Sequence, residues 1–373
     1  MSDHSHAEAE ASMRPLLQRI ATGPELSKDL SLDEARLGMR LILDGAVDPV
    51  QAGVFLIALR MKRETDDENR GVLEAIRECT EAATAEVDEV LDLADPYDGC
   101  TRSLSVSPCL PALLAACGVP TVTHGVESVG PKYGVTHHRV LAAAGVDVAA
   151  SPSQVAARLA DPAIGWGYVD QSRFCPKLYA LNELRTLIVK RPAITTAEVL
   201  AGPVRGRRHT HLMTGYVHKA YPRKYALLAR HAGFESALLV RGTEGGVIPS
   251  LRQPAKHCRY TAGGAEHFFD GDPEQIGIRA STRAVPVPEA LAEAEENSVG
   301  RARDPLAAVA AATGIAALEG RDGPARDALM LGCALALWHL GRAESLAEAA
   351  ASARDALDSG AAAARFRAAR AAP

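Results

Sequence analysis

Residues 30–62 read LSLDEARLGMRLILDGAVDPVQAGVFLIALRMK and predict two consecutive helices. Ser31 begins an S-x-x-E capping box, in which the serine and glutamate side chains each bond a free backbone amide. Asp48 and Pro49 suit the start of the second helix, because a carboxylate caps free amides and proline is tolerated in the first turn. Thr65 begins another capping box and predicts a third helix. The chain therefore starts with a small all-helical unit.

After Glu89 the pattern changes to short apolar runs that alternate with helices. The runs that predict strands are VLDLAD (90–95), VPTVTHG (119–125), VDVAA (146–150), IGWGYVD (164–170), HTHLMTG (209–215) and SALLVRG (236–242). A second helical stretch is predicted at about 176–200 and an alanine-rich helical block at about 305–370, whereas residues 1–13 are predicted to be a disordered tail. This alternation predicts an α/β fold with a mainly parallel central sheet covered by helices.

The composition indicates a folded protein outside the membrane. The chain has 373 residues, of which 47% are apolar and 23% charged, as in ordinary globular domains. No apolar run reaches the roughly 18–20 residues of a membrane span, and the first residues lack the apolar centre of a signal peptide. Seven cysteines, never spaced CxxC, indicate neither a disulfide framework nor a zinc ribbon. We therefore expect a cytoplasmic protein, and no metal site is predicted because no convergent ligand set is visible.

Charge is strongly segregated along the chain. Residues 171–260 contain 16 Lys or Arg against four acids, a net charge of +12, whereas the remainder has 25 basic against 42 acidic residues, or −17. Such segregation indicates an anionic partner, and phosphates are the obvious anions.

The densest basic segment is RGRRHTHLMTGYVHKAYPRK, residues 205–224, which has six Lys or Arg, three histidines, two tyrosines and no acid. Lys and Arg bind phosphate and displace condensed counterions, while aromatic rings stack on unpaired bases. The alternative is a solvated surface or a subunit interface. The candidate phosphate-binding residues in this segment are Arg205, Arg207, Arg208, Lys219, Arg223 and Lys224.

The order of these elements resembles the anthranilate phosphoribosyltransferase family, within glycosyltransferase family 3 and related in fold to the pyrimidine nucleoside phosphorylases. Besides residues 30–62, the resemblance rests on THGVESVGPKYG (123–134), AGPV (201–204), ALLVRGTEGG (237–246) and ALALWHLGRAESLAEAAASARDALDSG (334–360). It implies a helical domain at 14–84, joined by the helices at about 176–200, and an α/β domain at 85–175 and 201–373. It also implies a cleft between the domains and a homodimer formed through the helical domain.

The residues that this family uses for chemistry are largely replaced. Its GTGGD turn, which holds a diphosphate through backbone amides, aligns with Asp-Pro-Tyr-Asp-Gly at 95–99, where proline removes a donor and only one glycine remains. Its KHGNR motif becomes Thr-His-Gly-Val-Glu at 123–127, without the lysine and the arginine. Its magnesium-binding Asp-Glu pair aligns with Val247 and Ile248, and its acceptor-binding arginine with Thr195. We therefore assign no catalytic residue and expect no cofactor, magnesium being expected only if transferase chemistry is retained.

The same substitutions resemble a non-catalytic branch of the family that binds nucleic acid. This branch shares the THGV-like segment, the Phe-Cys-Pro element at 174–176 and a turn like Arg-Gly-Thr-Glu-Gly at 241–245. The resemblance implies a dimer that binds DNA or RNA with little sequence preference through a basic groove. In addition to the segment 205–224, the groove would include Arg185, Lys190, Arg191, Lys177, His124 and Lys132.

Two alternatives remain open. The chain is an enzyme if contacts such as Lys132 and His124 rebuild the site of a phosphoribosyltransferase or phosphorylase, acting on an unidentified acceptor. It is a scaffold if the helical face binds a protein partner instead. The nucleic-acid hypothesis differs from both because it predicts an affinity that falls steeply with salt.

Overall fold

The computed structural model describes residues 6–23, 25–292 and 304–372. The chain begins with four helices: α1 (His6–Ile20), α2 (Leu32–Leu43), α3 (Pro49–Lys62) and α4 (Asp66–Glu78). Ser31 and Thr65 form the predicted capping boxes of α2 and α4, and the Asp48 carboxylate accepts the amide of Val50 at the start of α3. Local sequence signals therefore set the beginnings of three of these helices.

The prediction of a disordered tail is wrong for residues 6–13, because α1 begins at His6. Ala9, Met13, Leu16 and Ile20 lie three or four residues apart and are all buried. They form an apolar stripe that packs in the core of the helical domain. The polar residues between them conceal this stripe in the sequence, and residues 1–5 lie outside the described part of the chain.

The rest of the chain builds the predicted α/β domain. Its strands are β1 (Ala83–Thr84), β2 (Glu89–Ala94), β3 (Thr121–Gly125), β4 (Trp166–Asp170), β5 (Val204–Arg205), β6 (His209–Tyr216), β7 (Ser236–Arg241), β8 (Ala255–Tyr260) and β9 (His267–Gly271). Seven of them form one sheet in the order β4-β3-β2-β6-β7-β8-β9. The first five are parallel, and β8 is antiparallel to both of its neighbours, β7 and β9. Strands β1 and β5 form a separate parallel pair. The predicted mainly parallel α/β architecture is confirmed.

Two strand predictions need correction. The segment 146–150 is an irregular loop with a bend at Val148 and not a strand, because the Asp147 carboxylate accepts the amide of Ala149 and an Arg158 hydrogen bond. The sequence does not predict β8 and β9, because both contain polar and charged residues and β9 is a largely exposed edge strand.

The remaining helices cover the sheet and join the two domains. They are α5 (Leu110–Ala116), α6 (His137–Ala143), α7 (Pro152–Ala160), α8 (Gln171–Phe174), α9 (Pro176–Tyr179), α10 (Asn182–Ile188), α11 (Ile194–Ala197), α12 (Tyr221–His231), α13 (Glu289–Ala292), α14 (Asp304–Leu318), α15 (Pro324–His339), α16 (Leu346–Asp358) and α17 (Ala361–Ala371). Helices α8–α11 return the chain to the helical domain, where α10 contacts α3 and α11 contacts α4.

The sheet lies between two apolar layers. One face packs with α7, α12 and the N-terminal helices, and the other with α5, α6 and α14–α17. Trp166 of β4 stacks on Phe366 of α17, with ring centroids 5.4 Å apart. Among the described residues, no helix has the length and apolarity needed to cross a bilayer.

Candidate functional site

A cleft of about 960 Å³ opens between the helical domain and the carboxyl ends of the parallel strands. In open α/β sheets, ligands bind beyond the carboxyl ends of the strands, because the loops there are free to vary. The helical domain contributes the end of α3 and the segment before α11. The α/β domain contributes the turns after β2, β6 and β7, and a segment near 283.

The carboxylates of the turn after β2, at 95–99, bind groups from other segments of the chain. Asp95 is buried; its Oδ1 accepts the amide of Val247 at 2.7 Å and its Oδ2 lies 2.7 Å from His137 Nε2, with Ser107 also donating. Burial alone would raise the pKa of Asp95, but His137 and these hydrogen bonds hold it below its ordinary value. Asp95 therefore stays negatively charged, and its carboxylate takes donors that an anionic ligand would otherwise use.

Asp98, in the same turn, pairs with two cations that line the cleft. Its carboxylate lies 3.1 Å from Arg191 Nε and 3.3 Å from Lys132 Nζ, and its side chain is only 4% exposed. These contacts connect the helical domain to the α/β domain across the cleft. They also neutralise part of the positive charge that Arg191 and Lys132 would offer to a ligand.

Glu244, in the turn after β7, caps the loop that follows the altered glycine turn. Its carboxylate accepts the amides of Thr101 and Arg102 at 2.9 and 3.0 Å and the hydroxyl of Ser103 at 2.7 Å. Burial would raise the pKa of Glu244, but the Thr101 amide, the Ser103 hydroxyl and Lys132 lower it below its ordinary value. The Glu244 carboxylate thus takes donors that could otherwise bind an anionic ligand.

The residues present do not fit magnesium with a diphosphate. Val247 is fully buried among apolar side chains, and its amide is already bonded to Asp95. Glu244, the nearest acid in the same turn, is committed to backbone amides. Within the described ranges, no group of three His, Cys, Asp or Glu residues could hold a metal ion. Neither Val247 nor Glu244 therefore offers a free carboxylate to a hard cation.

The open part of the cleft is cationic and partly aromatic. Its charged lining comprises Arg60, Arg102, Lys132, Arg191, Arg241 and Arg283, against Glu64, Asp98 and Glu244. Tyr221 lines the same space, with its ring 6.2 Å from that of His218 and 6.0 Å from that of Tyr225. The sequence did not indicate Arg60, Arg102, Arg241 and Arg283, because they come from four separate segments with no shared motif.

Lys132 and Arg191 are the two predicted site residues that line the cleft. Lys190 is exposed beside Arg191, and Lys219 and Arg223 are exposed beside His218 and Tyr221. Lys224 Nζ lies 3.9 Å from the carboxylate of Glu64, another lining residue. The structure therefore places two of the twelve predicted residues in the lining of the cleft, and four more are chain neighbours or contacts of lining residues.

Arg205, Arg207 and Arg208 lie near the amino end of β6, at the opposite end of the strands from the cleft, so their assignment to the same groove is wrong. They precede β6, whereas the cleft is lined by the last three residues of that strand, roughly 20 Å away at the usual rise of a strand. Arg205 lies over the Phe234 ring and donates to two backbone carbonyls, and burial lowers its pKa to about 10. Arg207 donates to Asp88 at 2.8 Å, and Arg208 lies 4.0 Å from the same carboxylate.

Arg185, His124 and Lys177 are also engaged elsewhere. Arg185 is buried in an ion pair with Glu198. His124 is buried on β3, where Nε2 lies 2.8 Å from Asp92 and Nδ1 bonds the Tyr97 hydroxyl. Lys177 pairs with Asp44 on the helical domain. The prediction that Arg185 and His124 bind phosphate is wrong, because both side chains are buried and bonded to carboxylates in the core, so they cannot reach a ligand.

Comparisons with known proteins agree with this architecture. Residues 14–80 match the glycosyl transferase family helical bundle domain, and residues 99–363 match the glycosyl transferase family a/b domain. Anthranilate phosphoribosyltransferase from Rhodopseudomonas palustris (strain BisA53) is 29% identical over 353 residues, which are 95% of this chain and 96% of the relative. An uncharacterized protein from Aquifex aeolicus is 32% identical over 61% of this chain and 67% of its own length.

Solved structures show the same fold. Anthranilate phosphoribosyltransferase (TrpD) from Thermus thermophilus superposes with a TM-score of 0.73 at 22% identity, over 96% of this chain and 98% of that one. The Saccharomyces cerevisiae enzyme in complex with PRPP and Mg gives a TM-score of 0.72 at 16% identity, over 96% of each chain. The chain therefore belongs to the glycosyl transferase family that joins a helical bundle domain to an α/β domain, and within it to the anthranilate phosphoribosyltransferase-like proteins.

Proposed function

We propose that this chain binds single-stranded nucleic acid in the interdomain cleft, with little sequence preference, and that it does not catalyse magnesium-dependent phosphoribosyl transfer. One observation carries the proposal. The donors around the altered glycine turn are taken by Asp95, Asp98 and Glu244, while a row of cations remains around an open cleft.

The charge of the cleft favours a polyanion. Six Lys or Arg line it against three acids, and two of those acids are buried in internal hydrogen bonds. Arg60, Arg102, Arg241 and Arg283 are exposed and come from both walls. Cations spread along a cleft match the repeated phosphates of a strand better than one compact diphosphate, and they release condensed counterions on binding.

The aromatic residues favour unpaired bases. His218 and Tyr221 line the cleft with ring centroids 6.2 Å apart, and the Tyr221 ring lies 6.0 Å from that of Tyr225, which is buried behind it. Every base has a face that stacks on such rings, so this contact is tolerant of sequence. A duplex hides its base faces and gains nothing from these rings, which is why we propose a single strand.

The test compares two matched variants by fluorescence anisotropy with a labelled single-stranded oligonucleotide. Arg60→Gln with Arg241→Gln removes one exposed cation from each wall of the cleft. Affinity is expected to fall about tenfold or more, and the slope of log affinity against log salt to become shallower by about 1.4, at roughly 0.7 per lost contact. The control, Arg207→Gln with Arg208→Gln, removes the same charge from the opposite edge and is expected to bind as the wild type does.

Either of two results contradicts the proposal. Affinity that does not change with salt would exclude a phosphate-dominated interface. A loss confined to the control would place the site at the edge of the sheet where β6 begins.

A phosphoribosyltransferase or phosphorylase with an unidentified acceptor is the second candidate. Lys132 favours it, since this amine lines the cleft beside the altered turn, and relatives that span almost the whole chain carry the name anthranilate phosphoribosyltransferase. Isothermal titration calorimetry with phosphoribosyl diphosphate and magnesium distinguishes the two functions. Saturable binding that requires magnesium would favour the transferase.

We also propose a homodimer formed through the helical domain. Val50 and Val54 of α3, Leu187 of α10 and Val189 leave large apolar side chains exposed on neighbouring elements. Val50 is 73% and Leu187 75% exposed, and exposed apolar side chains concentrated on one domain indicate a protein interface.

All seven cysteines are free thiols, which fits the reducing cytoplasm in which we expect the protein to act.

A further inference from the structure

The loop at 101–103 has the donor set of a phosphate site. Two consecutive backbone amides, from Thr101 and Arg102, point at one position together with the hydroxyl of Ser103. The Thr101 hydroxyl lies 3.3 Å from the same group. Successive amides that converge in this way form a concave anion site, and hydroxyl donors beside them complete the shell of a tetrahedral oxyanion.

The anion in that site is the chain's own Glu244. Each of its carboxylate oxygens accepts two of the four hydrogen bonds, and the side chain is 4% exposed. The backbone of Glu244 has φ of 54°, a left-handed conformation that is unfavourable for a residue with a side chain. Such a conformation persists only where surrounding contacts hold it, and here those contacts are the loop donors.

The turn that carries Glu244 has the means to release it. Gly242 precedes the turn, Gly245 and Gly246 follow its acid, and glycine adopts a wide range of backbone angles at little cost. Thr243, Glu244 and Gly245 also line the cleft beside Arg102 and Lys132. A ligand phosphate in the cleft therefore lies next to the carboxylate that it would replace.

We infer that Glu244 is an intramolecular plug of a latent phosphate site, and that a phosphate monoester or diphosphate displaces it. This inference rests on the proposed function in one respect: ligands reach the site through the interdomain cleft. A terminal phosphate carries more charge and more acceptor oxygens than a diester in the middle of a strand, so it competes better for four donors. A tethered competitor acts at an effective concentration in the millimolar range or above, which weakens the apparent affinity of a free ligand.

The test is calorimetry on the full chain with inorganic pyrophosphate. Glu244→Ala removes the plug, and pyrophosphate is expected to bind at least about tenfold more tightly than to the wild type. Glu244→Gln keeps the size of the side chain but removes its charge, and is expected to show a smaller gain in the same direction. Glu235→Ala removes an exposed acid next to His209, away from the cleft, and is expected to match the wild type.

A second arm identifies the source of the phosphate. Anisotropy compares one oligonucleotide with a 5′-phosphate and the same strand with a 5′-hydroxyl. If Glu244→Ala raises the affinity for the 5′-phosphorylated strand more than the affinity for the 5′-hydroxyl strand, the site is assigned to a nucleic-acid end. If only the affinity for pyrophosphate shows this additional increase, the site is assigned to a free diphosphate.

Failure of this inference is distinct from failure of the proposed function. The 5′-hydroxyl strand measures the cleft itself; Glu244→Ala removes one negative charge from the cleft lining, so it is expected to bind this strand more tightly than the wild type, but by less than it gains for the 5′-phosphorylated strand. If both Glu244 variants retain the wild-type circular dichroism and melting temperature yet gain no affinity for either phosphate probe, the plug is refuted, whatever the affinity for the 5′-hydroxyl strand.

Discussion

Arg185 donates two hydrogen bonds, of 2.8 and 2.7 Å, to the two carboxylate oxygens of Glu198. Their side chains are 2% and 1% exposed. Gln171 also donates to Glu198, so the pair is the centre of a small buried network where α8, α10 and the segment after α11 meet. Arg185, which belongs to the basic stretch 171–260, is therefore an internal structural residue.

Arg185→Ala is expected to lower the free energy of unfolding by about 3–5 kcal/mol, because it leaves the Glu198 carboxylate buried without its cation. Replacing both partners, as Arg185→Met with Glu198→Leu, is expected to cost much less, because no charge remains in the core. Urea denaturation measures both changes. Equal losses in the single and double variants would contradict this account.

Asp98→Asn is expected to strengthen binding of single-stranded nucleic acid by about three- to tenfold, since it frees Arg191 and Lys132 and removes one negative charge from the cleft. Anisotropy at low salt measures the gain, which is expected to shrink as salt rises. Asp44→Asn, which frees Lys177 outside the cleft, is the matched control. Weaker binding by Asp98→Asn would show that the pair positions the arginine rather than masking it.

Stability is expected to fall as the pH decreases from about 6.5 towards 4. Burial lowers the pKa of His257 to about 4 and that of His339 to about 3, so both rings are neutral in the folded chain. In the unfolded chain they bind a proton below about 6.5, which stabilises that state. Their contribution is thus complete above pH 6.5, and each is expected to lose on the order of 1–2 kcal/mol by pH 5.

Urea denaturation at pH 7 and pH 5 checks this expectation. His257→Gln retains an acceptor for the Arg241 amide and is expected to be less sensitive to acid than the wild type. The same pH dependence in the variant would show that other groups cause the loss.

Gly242→Ala is expected to destabilise the chain by about 2 kcal/mol or more, because a Cβ there would lie 1.5 Å from the carbonyl oxygen of Gly246 and deform the turn that carries Glu244. Gly125→Ala is the control, since its Cβ would lie 3.6 Å from the Tyr168 hydroxyl, an ordinary contact. Thermal melting compares the two. Similar melting temperatures for the two variants would mean that the backbone of the 242–246 turn shifts to admit the Cβ at little cost in stability.

Val50→Glu with Leu187→Glu is expected to convert the proposed dimer into a monomer, because two charges would enter the apolar face of the helical domain. Light scattering coupled to size exclusion measures the mass. Val217→Glu alters another exposed apolar residue, in the cleft, and is expected to leave the mass unchanged. A monomeric wild type would refute the proposed dimer.

The sequence by itself determined the local structure and the class of fold. Capping residues such as Ser31, Asp48 and Thr65 act within one turn of helix, and apolar runs such as those of β2 and β6 mark buried parallel strands. These are short-range effects, so they can be recognised without coordinates. The replaced family motifs at 95–99 and at Val247 were visible for the same reason.

Only the tertiary structure decided which charges are available to a ligand. Arg185 and Arg205 belong to the basic stretch of the sequence, but the fold pairs Arg185 with the buried Glu198 carboxylate and Arg205 with the carbonyl of Ala232. Arg60 and Arg283 are more than two hundred positions apart in the chain, yet they line one cleft. The net charge of a sequence segment depends only on how many charged side chains it contains. The charge of a binding surface also depends on which partners the fold places within a few ångströms of each side chain.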